Sequence, residues 1–145
     1  MSLLKAIVVV AGLTLTAGSQ ATACPKGEAK NTEVASVSVD DAAKLHKKGE
    51  IIMVDANGDD TRKKLGVVPG AKLLTSYDKF AASELGVKKS DTLVFYCYNK
   101  MCSAAPRAAE VARAKGYKSK VMHAGIVGWK KAGHAVQQIG SSPKS

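Results

Sequence analysis

The chain has 145 residues, 46% of them hydrophobic and 23% charged, which fits a packed globular protein and excludes a disordered or collagen-like chain. Its formal net charge of +10 comes mainly from lysine, since only three of its 22 basic residues are arginine (Arg62, Arg107 and Arg113). With 5% aromatic residues, this composition disfavours nucleic-acid recognition. Three cysteines are too few for a disulfide framework. We interpret the charge as favouring solubility and attraction for small anions or acidic partners.

The N-terminus has the pattern of a secretory signal peptide. Lys5 precedes an apolar run over residues 6–17, and an A-x-A site follows at residues 21–23. As a helix this run is about 18 Å long, short of the ~30 Å hydrocarbon core, so we expect no transmembrane span. Cleavage near Ala23 predicts a periplasmic or secreted protein. A lipoprotein anchored at Cys24 is a less favoured alternative, because Ala21 stands where a lipobox has leucine.

Composition along the chain divides it into four parts. We predict a signal peptide over residues 1–23, a mobile leader over 24–33, one domain over 34–138 and a flexible tail over 139–145. The leader and tail contain mostly small, charged or turn-forming residues. The mature chain is long enough to bury a core of its own without disulfide bonds.

Strands and helices are predicted to alternate through the domain. The first strand covers residues 34–39, and Asp40 and Asp41 cap a helix that stops at Gly49. Further strands are expected at residues 51–54, 71–74, 92–96 and 120–122, and further helices at 62–65, 77–85, 103–115 and 125–132. This order predicts an α/β domain with a mainly parallel central sheet of about five strands, flanked by helices on both faces.

Cys97 follows the most strand-like segment and lies six positions before a predicted helix N-terminus capped by Ser103. Parallel sheets bind ligands outside the carboxyl ends of their strands, which is where this cysteine is predicted to lie. Backbone N–H groups and the helix dipole are expected to stabilise a thiolate, lower its pKa and make it a nucleophile. The alternative is that Cys97 is only a small buried hydrophobic residue.

Several segments together resemble the rhodanese-like domain family. The strand ending at Asp55 is followed by L-G-V-V-P-G-A at residues 65–71, similar to the family's G-H-I-P-G-A-like turn. The segment V-F-Y-C at residues 94–97, with its following alanine-rich helix, resembles the family's active-site loop. Residues 121–133 resemble its closing L-x-G-G-I-x-x-W-x-x-A-G segment. The resemblance extends over residues 34–137.

The resemblance implies a single-domain sulfurtransferase. Cys97 is then the nucleophile that takes sulfane sulfur from thiosulfate or polysulfide, holds it as a persulfide and passes it to a thiol or cyanide-like acceptor. Residues 98–101 and 103 are expected to form the substrate-binding loop (Tyr98, Asn99, Lys100, Met101 and Ser103), with Asp55 in a supporting role. The six positions from Cys97 to Cys102 match sulfur-transferring members, whereas phosphatase and arsenate-reductase relatives use seven and end in arginine.

Two positions depart from the family pattern. Many members have arginine where this chain has Cys102, and their Asp-Val-Arg is Asp55-Ala56-Asn57 here. As an auxiliary thiol, Cys102 is expected either to form a disulfide with Cys97 or to protect it from overoxidation. A purely structural cysteine is the other interpretation, because a tight loop can hold two sulfurs beyond bridging distance.

Other functions stay open at this point. The chain is either an enzyme, a sulfane-sulfur carrier or sensor that turns over poorly, or a thiol–disulfide protein that uses Cys97 and Cys102. A soft-metal site at Cys97, Met101 and Cys102 is disfavoured, so we expect neither a metal nor a cofactor. His46, His123 and His134 are interpreted as structural, Trp129 as a core anchor and Tyr96 as packing. No partner protein can be named from the sequence.

Overall fold

The computed structural model describes residues 33–140. The predicted signal peptide, Cys24, nearly all of the leader and the tail beyond residue 140 lie outside the described residues. Within the described range, the structure contains no helix long and apolar enough to cross a membrane. Export and the predicted domain boundaries therefore stay predictions.

A five-stranded parallel sheet forms the centre of the described domain. In chain order the strands are β1 (Ala35–Ser36), β2 (Ile52–Asp55), β3 (Lys72–Leu73), β4 (Thr92–Tyr96) and β5 (Lys118–Val121). Their spatial order is β1-β5-β4-β2-β3, and every pairing is parallel. This confirms the predicted α/β class. All strands end at the same edge, so the loops after β2 and β4 are neighbours.

Helices cover both faces of the sheet. They are α1 (Val39–Lys47), α2 (Asp59–Leu65), α3 (Ala82–Leu85), α4 (Ala104–Ala114) and α5 (Gly125–Lys131). Alternation along β4 divides the core in two. Leu93 and Phe95 belong to a cluster that includes the buried alanines of α4. Val94 and Tyr96 belong to a second cluster with residues of α1 and α5.

Some predicted elements are shorter than expected or shifted. The strand predicted at residues 34–39 contracts to Ala35–Ser36, because Ser38 caps α1: its hydroxyl accepts the N–H of Asp41 at 3.1 Å. The prediction that Asp40 and Asp41 form the cap is therefore wrong. The helix predicted at residues 77–85 contracts to Ala82–Leu85. There the Glu84 carboxylate accepts the backbone N–H groups of Ala81 and Thr75, which holds the preceding chain in a turn rather than a helix.

Candidate active site

Cys97 is the first residue after β4, at the carboxyl edge of the sheet. Its side chain is 2% exposed and belongs to the same buried cluster as Phe95, Ala105 and Ala108. The hydrophobic interpretation of Cys97 is therefore correct as far as packing goes. The surrounding backbone makes it more than a core residue, because two helices begin beside the loop formed by residues 97–102, here called the 97–102 loop.

Helix α5 anchors the 97–102 loop through backbone atoms. The N–H of Ile126 donates to the carbonyl of Cys97 at 2.8 Å, and the N–H of Val127 donates to the carbonyl of Tyr98 at 3.1 Å. This close approach requires Gly125, which has φ +63°. A Cβ there would lie 2.5 Å from the Tyr98 oxygen and 2.6 Å from that of Cys97. The closing glycine of the sequence pattern thus positions the loop.

With those carbonyls bound to α5, backbone N–H groups of the loop and of α4 point towards the sulfurs. Cys97 receives N–H groups from Tyr98 and Ala105, and Cys102 receives them from Tyr98 and Ala104. The loop also stabilises its own turn, since the Asn99 carbonyl accepts the N–H of Cys102 at 3.0 Å. These N–H donors are suited to a thiolate or to the outer sulfur of a persulfide. Ser103 stands at the N-cap position of α4 with a helical rather than extended backbone, and its side chain makes no cap hydrogen bond, so the prediction that it caps the helix is wrong.

The expected lowering of the Cys97 pKa is wrong. Burial raises the pKa of the Cys97 thiol to about 12, the hydrogen-bonded Cys102 side chain adds to the rise, and the N–H groups of Ala105 and Tyr98 offset only part of it. The thiol also faces the Cys102 carbonyl oxygen at 3.3 Å, an acceptor that favours the protonated form. Reasoning from the helix dipole alone neglected the cost of desolvating the sulfur.

The pKa of Cys102 shifts in the opposite direction. Burial opposes ionisation, but the hydrogen bond from Cys97 and the N–H groups of Tyr98 and Ala104 outweigh it, so the pKa of Cys102 is lowered. Its side chain is only partly buried. The pair therefore holds a single negative charge more readily at Cys102 than at Cys97. Both thiols are reduced in this structure, and their side chains are hydrogen-bonded to each other.

The remaining residues of the predicted substrate-binding loop form its rim. Tyr98 is 46% exposed and Met101 84% exposed, and Lys100 is also exposed. Asn99 is partly buried, and its side-chain oxygen accepts the Met101 N–H at 3.0 Å. Among the residues between Cys97 and Cys102 in the sequence, Lys100 is the charged one.

The end of β2 carries a buried ion pair that the sequence reasoning missed. Asp55 is 0% exposed, and its carboxylate accepts the Asn57 N–H at 2.7 Å and the Arg62 Nε–H at 3.2 Å. Arg62, 6% exposed, also donates to the carbonyls of Asp55 at 3.0 Å and Leu74 at 2.8 Å. Asp55 therefore forms a buried ion pair with Arg62 at the end of β2, and its supporting role in the site stays a prediction. The sequence signal for Arg62 was weak, since it is one basic residue in a polar segment.

The aromatic and histidine side chains have structural contacts. Tyr96 is buried and its hydroxyl accepts the Val68 N–H at 3.0 Å. Trp129 is 4% exposed and donates to the Ala135 carbonyl at 2.8 Å. The His134 ring contacts the Trp129 ring at a tilt of 41°, with the two ring centroids 4.7 Å apart. The ring nitrogen Nε2 of His46 lies 2.8 Å from the Pro69 carbonyl oxygen. His123 is exposed and lines a cavity of about 140 Å³ with residues that include Pro106 and Glu110.

Comparison with known proteins agrees with this fold. Residues 38–132 match the family model for the rhodanese-like domain, so the chain belongs to the rhodanese-like domain family. The family is of the sulfurtransferase type, although many of its domains are non-catalytic. A search of curated proteins gave no significant match.

Solved structures share the fold at low sequence identity. The BH2092 protein of Bacillus halodurans is 24% identical, with 72% of this chain and 77% of that chain covered and a TM-score of 0.64. A rhodanese-like domain protein of Staphylococcus aureus is 18% identical, with 77% and 100% covered and a TM-score of 0.56. RPA3614 of Rhodopseudomonas palustris, described as a possible tyrosine phosphatase, is 22% identical, with 72% and 85% covered and a TM-score of 0.59. At these identities the likeness concerns the fold alone.

Proposed function

We propose that the protein is a sulfurtransferase that moves sulfane sulfur from thiosulfate or polysulfide, through a Cys97 persulfide, to a thiophilic acceptor. The observation that carries this proposal is the position of Cys97 at the carboxyl end of the central strand, in a loop whose carbonyl oxygens are bound by α5, while the N–H groups of Tyr98 and Ala105 partly offset the burial that raises the pKa of Cys97. These donors stabilise negative charge on a persulfide without a histidine base.

The chemistry is a displacement at sulfur in two halves. When thiosulfate loads the protein, a cysteine sulfur bonds to the outer sulfur of the donor, the S–S bond of thiosulfate breaks, and sulfite leaves with the bonding electrons. When the protein unloads, a thiolate or cyanide attacks the outer sulfur of the Cys97 persulfide and Cys97 leaves as the thiol. No net oxidation of the protein occurs in the cycle.

Phosphoryl transfer is a weaker alternative for this loop. No arginine lies between Cys97 and Pro106, and Arg62 is held by Asp55 and backbone carbonyls. A phosphate dianion is normally gripped by a guanidinium fork, which the 97–102 loop does not contain. The likeness to a possible tyrosine phosphatase therefore supports the shared fold but not that reaction.

A thiol–disulfide function is the second candidate, because the Cys97 and Cys102 side chains are hydrogen-bonded. Intact-mass measurement separates the two candidates. Cys24 is first replaced by serine, so that only the loop cysteines respond; the protein is then reduced, freed of reductant and treated with thiosulfate. We expect a gain of one sulfur atom, which cyanide removes as thiocyanate.

The location of the stored sulfur gives the decisive readout. Trypsin cleaves after Lys100, so Cys97 and Cys102 fall on different peptides. After quenching in denaturant with iodoacetamide, the sulfur at equilibrium is expected on the Cys97 peptide. A protein that gains no sulfur and releases no sulfite contradicts the proposed function, and formation of a Cys97–Cys102 disulfide by that protein with an added disulfide oxidant supports the second candidate. Repeated turnover with cyanide then distinguishes an enzyme from a carrier that is loaded once.

A further inference from the structure

The two cysteines of the 97–102 loop differ in their access to solvent. The Cys97 side chain is 2% exposed, whereas Cys102 is only partly buried and adjoins Met101, which is 84% exposed. Cys102 packs against the buried cluster that contains Cys97 but keeps part of its surface in solvent, so we expect a donor to reach Cys102 before Cys97. Displacement at sulfur requires the attacking atom to reach its target in line, so access decides which thiol reacts first.

Hydrogen bonding distinguishes the pair in the same direction. The Cys97 thiol lies close to two acceptors, the carbonyl oxygen of Cys102 at 3.3 Å and that of Asn99 at 3.9 Å. The N–H groups of Tyr98 and Ala104, by contrast, lower the pKa of Cys102. Donors stabilise a thiolate and acceptors a thiol, so the reduced pair places its nucleophilic charge on Cys102. Burial acts in the same direction, because it is the largest cause of the raised pKa of Cys97.

We propose that Cys102 is the catalytic thiol that takes sulfur from the donor, and that it passes this sulfur inward to Cys97 for storage. This inference rests on the proposed function and changes the role of Cys102 from an auxiliary to a receiving thiol. It also accounts for a cysteine at a loop position where the resemblance leads us to expect arginine. A second thiol there supplies the accessible nucleophile that the buried Cys97 cannot provide.

Both steps balance without an added oxidant or reductant. First, the Cys102 thiolate bonds to the outer sulfur of thiosulfate, sulfite leaves with the electron pair of the broken S–S bond, and the outer sulfur of the new persulfide takes a proton from solvent. Then the Cys97 sulfur bonds to the outer sulfur of the protonated Cys102 persulfide, and the bond from that sulfur to Cys102 breaks. The Cys97 proton moves to the departing Cys102 sulfur as the new S–S bond forms. The products are a Cys97 persulfide and a Cys102 thiol.

The wild-type loop, with Cys24 replaced by serine, tests this order directly. Reduced protein is mixed with thiosulfate, quenched at successive times in denaturant with iodoacetamide, and digested with trypsin. We expect the extra sulfur first on the Cys102 peptide and later on the Cys97 peptide, with the first population decaying as the second rises. Sulfur that appears on the Cys97 peptide from the earliest times, with none on Cys102, overturns the inference but leaves the proposed function intact.

Two single variants check the same order independently. Cys102→Ser is expected to load at least about tenfold more slowly than the parent, because only the buried thiol remains. Cys97→Ser, which keeps a hydrogen-bond donor beside Cys102, is expected to load within about threefold of the parent rate. Its sulfur is expected to be lost to cyanide at least about tenfold faster, because it stays at the exposed position.

The variants give clear contrary outcomes. Loading of Cys102→Ser at the parent rate, or failure of Cys97→Ser to load while it is folded by circular dichroism, overturns the inference. Cys97→Ala and Cys102→Ala replace the serine variants if either of those unfolds. If the parent gains no sulfur at all, the proposed function fails instead, so the two failures are distinguishable.

Discussion

Two neighbouring strand ends of this domain use polar groups in opposite ways. At the end of β2, Asp55 and Arg62 are both buried and bind each other and nearby backbone. At the end of β4, Cys97 and Cys102 bind each other, but one sulfur is partly exposed and backbone N–H groups converge on both. In the first arrangement, the two charged side chains use their polar groups on each other and on nearby backbone, which stabilises the fold. The second leaves a partly exposed thiol, which is the nucleophile under the proposed function.

The contrast is the reason why we do not propose a phosphate site, although a guanidinium lies at the neighbouring strand end. Arg62 directs Nε and Nη2 towards Asp55 and Leu74, and Nη1 towards Asp59 at 3.3 Å. A buried cation with its donors already bonded is costly to redirect, because its partners would lose their hydrogen bonds. The cation therefore belongs to the structure at β2, and anion stabilisation at β4 depends on backbone N–H groups and Lys100.

The largest effect on stability is expected from breaking the ion pair between Asp55 and Arg62 at the end of β2. Arg62→Met keeps the aliphatic stem but leaves the Asp55 carboxylate buried without its cation, which costs roughly 3–5 kcal/mol in the free energy of unfolding. Urea denaturation measures this loss. The folded fraction is expected to load sulfur from thiosulfate within about threefold of the parent rate, because Arg62 does not face the sulfurs.

Arg107→Met is the matched control, since Arg107 is 62% exposed and its pair with Glu110 is 3.5 Å long. That change is expected to cost no more than about 1 kcal/mol. An Arg62→Met protein with near-parental stability and lost thiosulfate loading would show that Arg62 serves the substrate, and the contrast between the two strand ends would be wrong.

A smaller loss of stability, but a larger loss of sulfur loading, is expected when Gly125, which anchors the 97–102 loop, is replaced. Gly125→Ala places a Cβ 2.5 Å from the Tyr98 carbonyl and keeps a φ of +63°, so we expect a loss of about 3 kcal/mol. Because the loop must shift to relieve the contact, sulfur loading is expected to fall at least about tenfold. Gly133→Ala has a similar φ of +81° with nothing within 4 Å of its Cβ, and isolates the backbone strain at roughly 1–2 kcal/mol. Equal effects of the two variants on loading would contradict the anchoring role.

The smallest effect is expected at the exposed rim. Lys100→Gln removes the one charge between the two cysteines, and should slow thiosulfate loading by about two- to threefold at low salt. The difference should vanish near 0.5 M salt, where the Debye length falls to about 4 Å. Lys118→Gln makes the same charge change at the first residue of β5, the opposite edge of the sheet. If Lys118→Gln lowers the loading rate by the same factor as Lys100→Gln, the net charge of the protein, rather than Lys100, attracts the anion.

Sequence patterns predicted the parts of the fold that repeat regularly. The strand at Thr92–Tyr96 was placed correctly because β-branched and aromatic residues follow one another there, and Cys97 followed from its position after that strand. The segment at residues 77–85 was less predictable. Its backbone is set by the long-range contacts of Phe80 and by hydrogen bonds from Thr75 to Glu84, which leave no periodic signal.

The electrostatics of the site were harder to predict than its location. A position before a helix indicated N–H donors around Cys97, and these are present. The sign of the pKa shift depended on how deeply the sulfur is buried and on which way the Cys102 carbonyl points, neither of which is written in the local sequence. Arg62 was missed for a similar reason, because a side chain that turns inward from a polar helix resembles an exposed one in the sequence.

The attachment of α5 to the 97–102 loop has a consequence for variation at this site. The bonds from Ile126 and Val127 reach only the backbone oxygens of Cys97 and Tyr98, so the anchoring does not depend on which side chains the rim presents. Substitutions at Tyr98, Lys100 and Met101 are thereby separated from the anchoring of the loop. The rim can be redesigned for another sulfur donor while the frame that holds the two thiols stays the same.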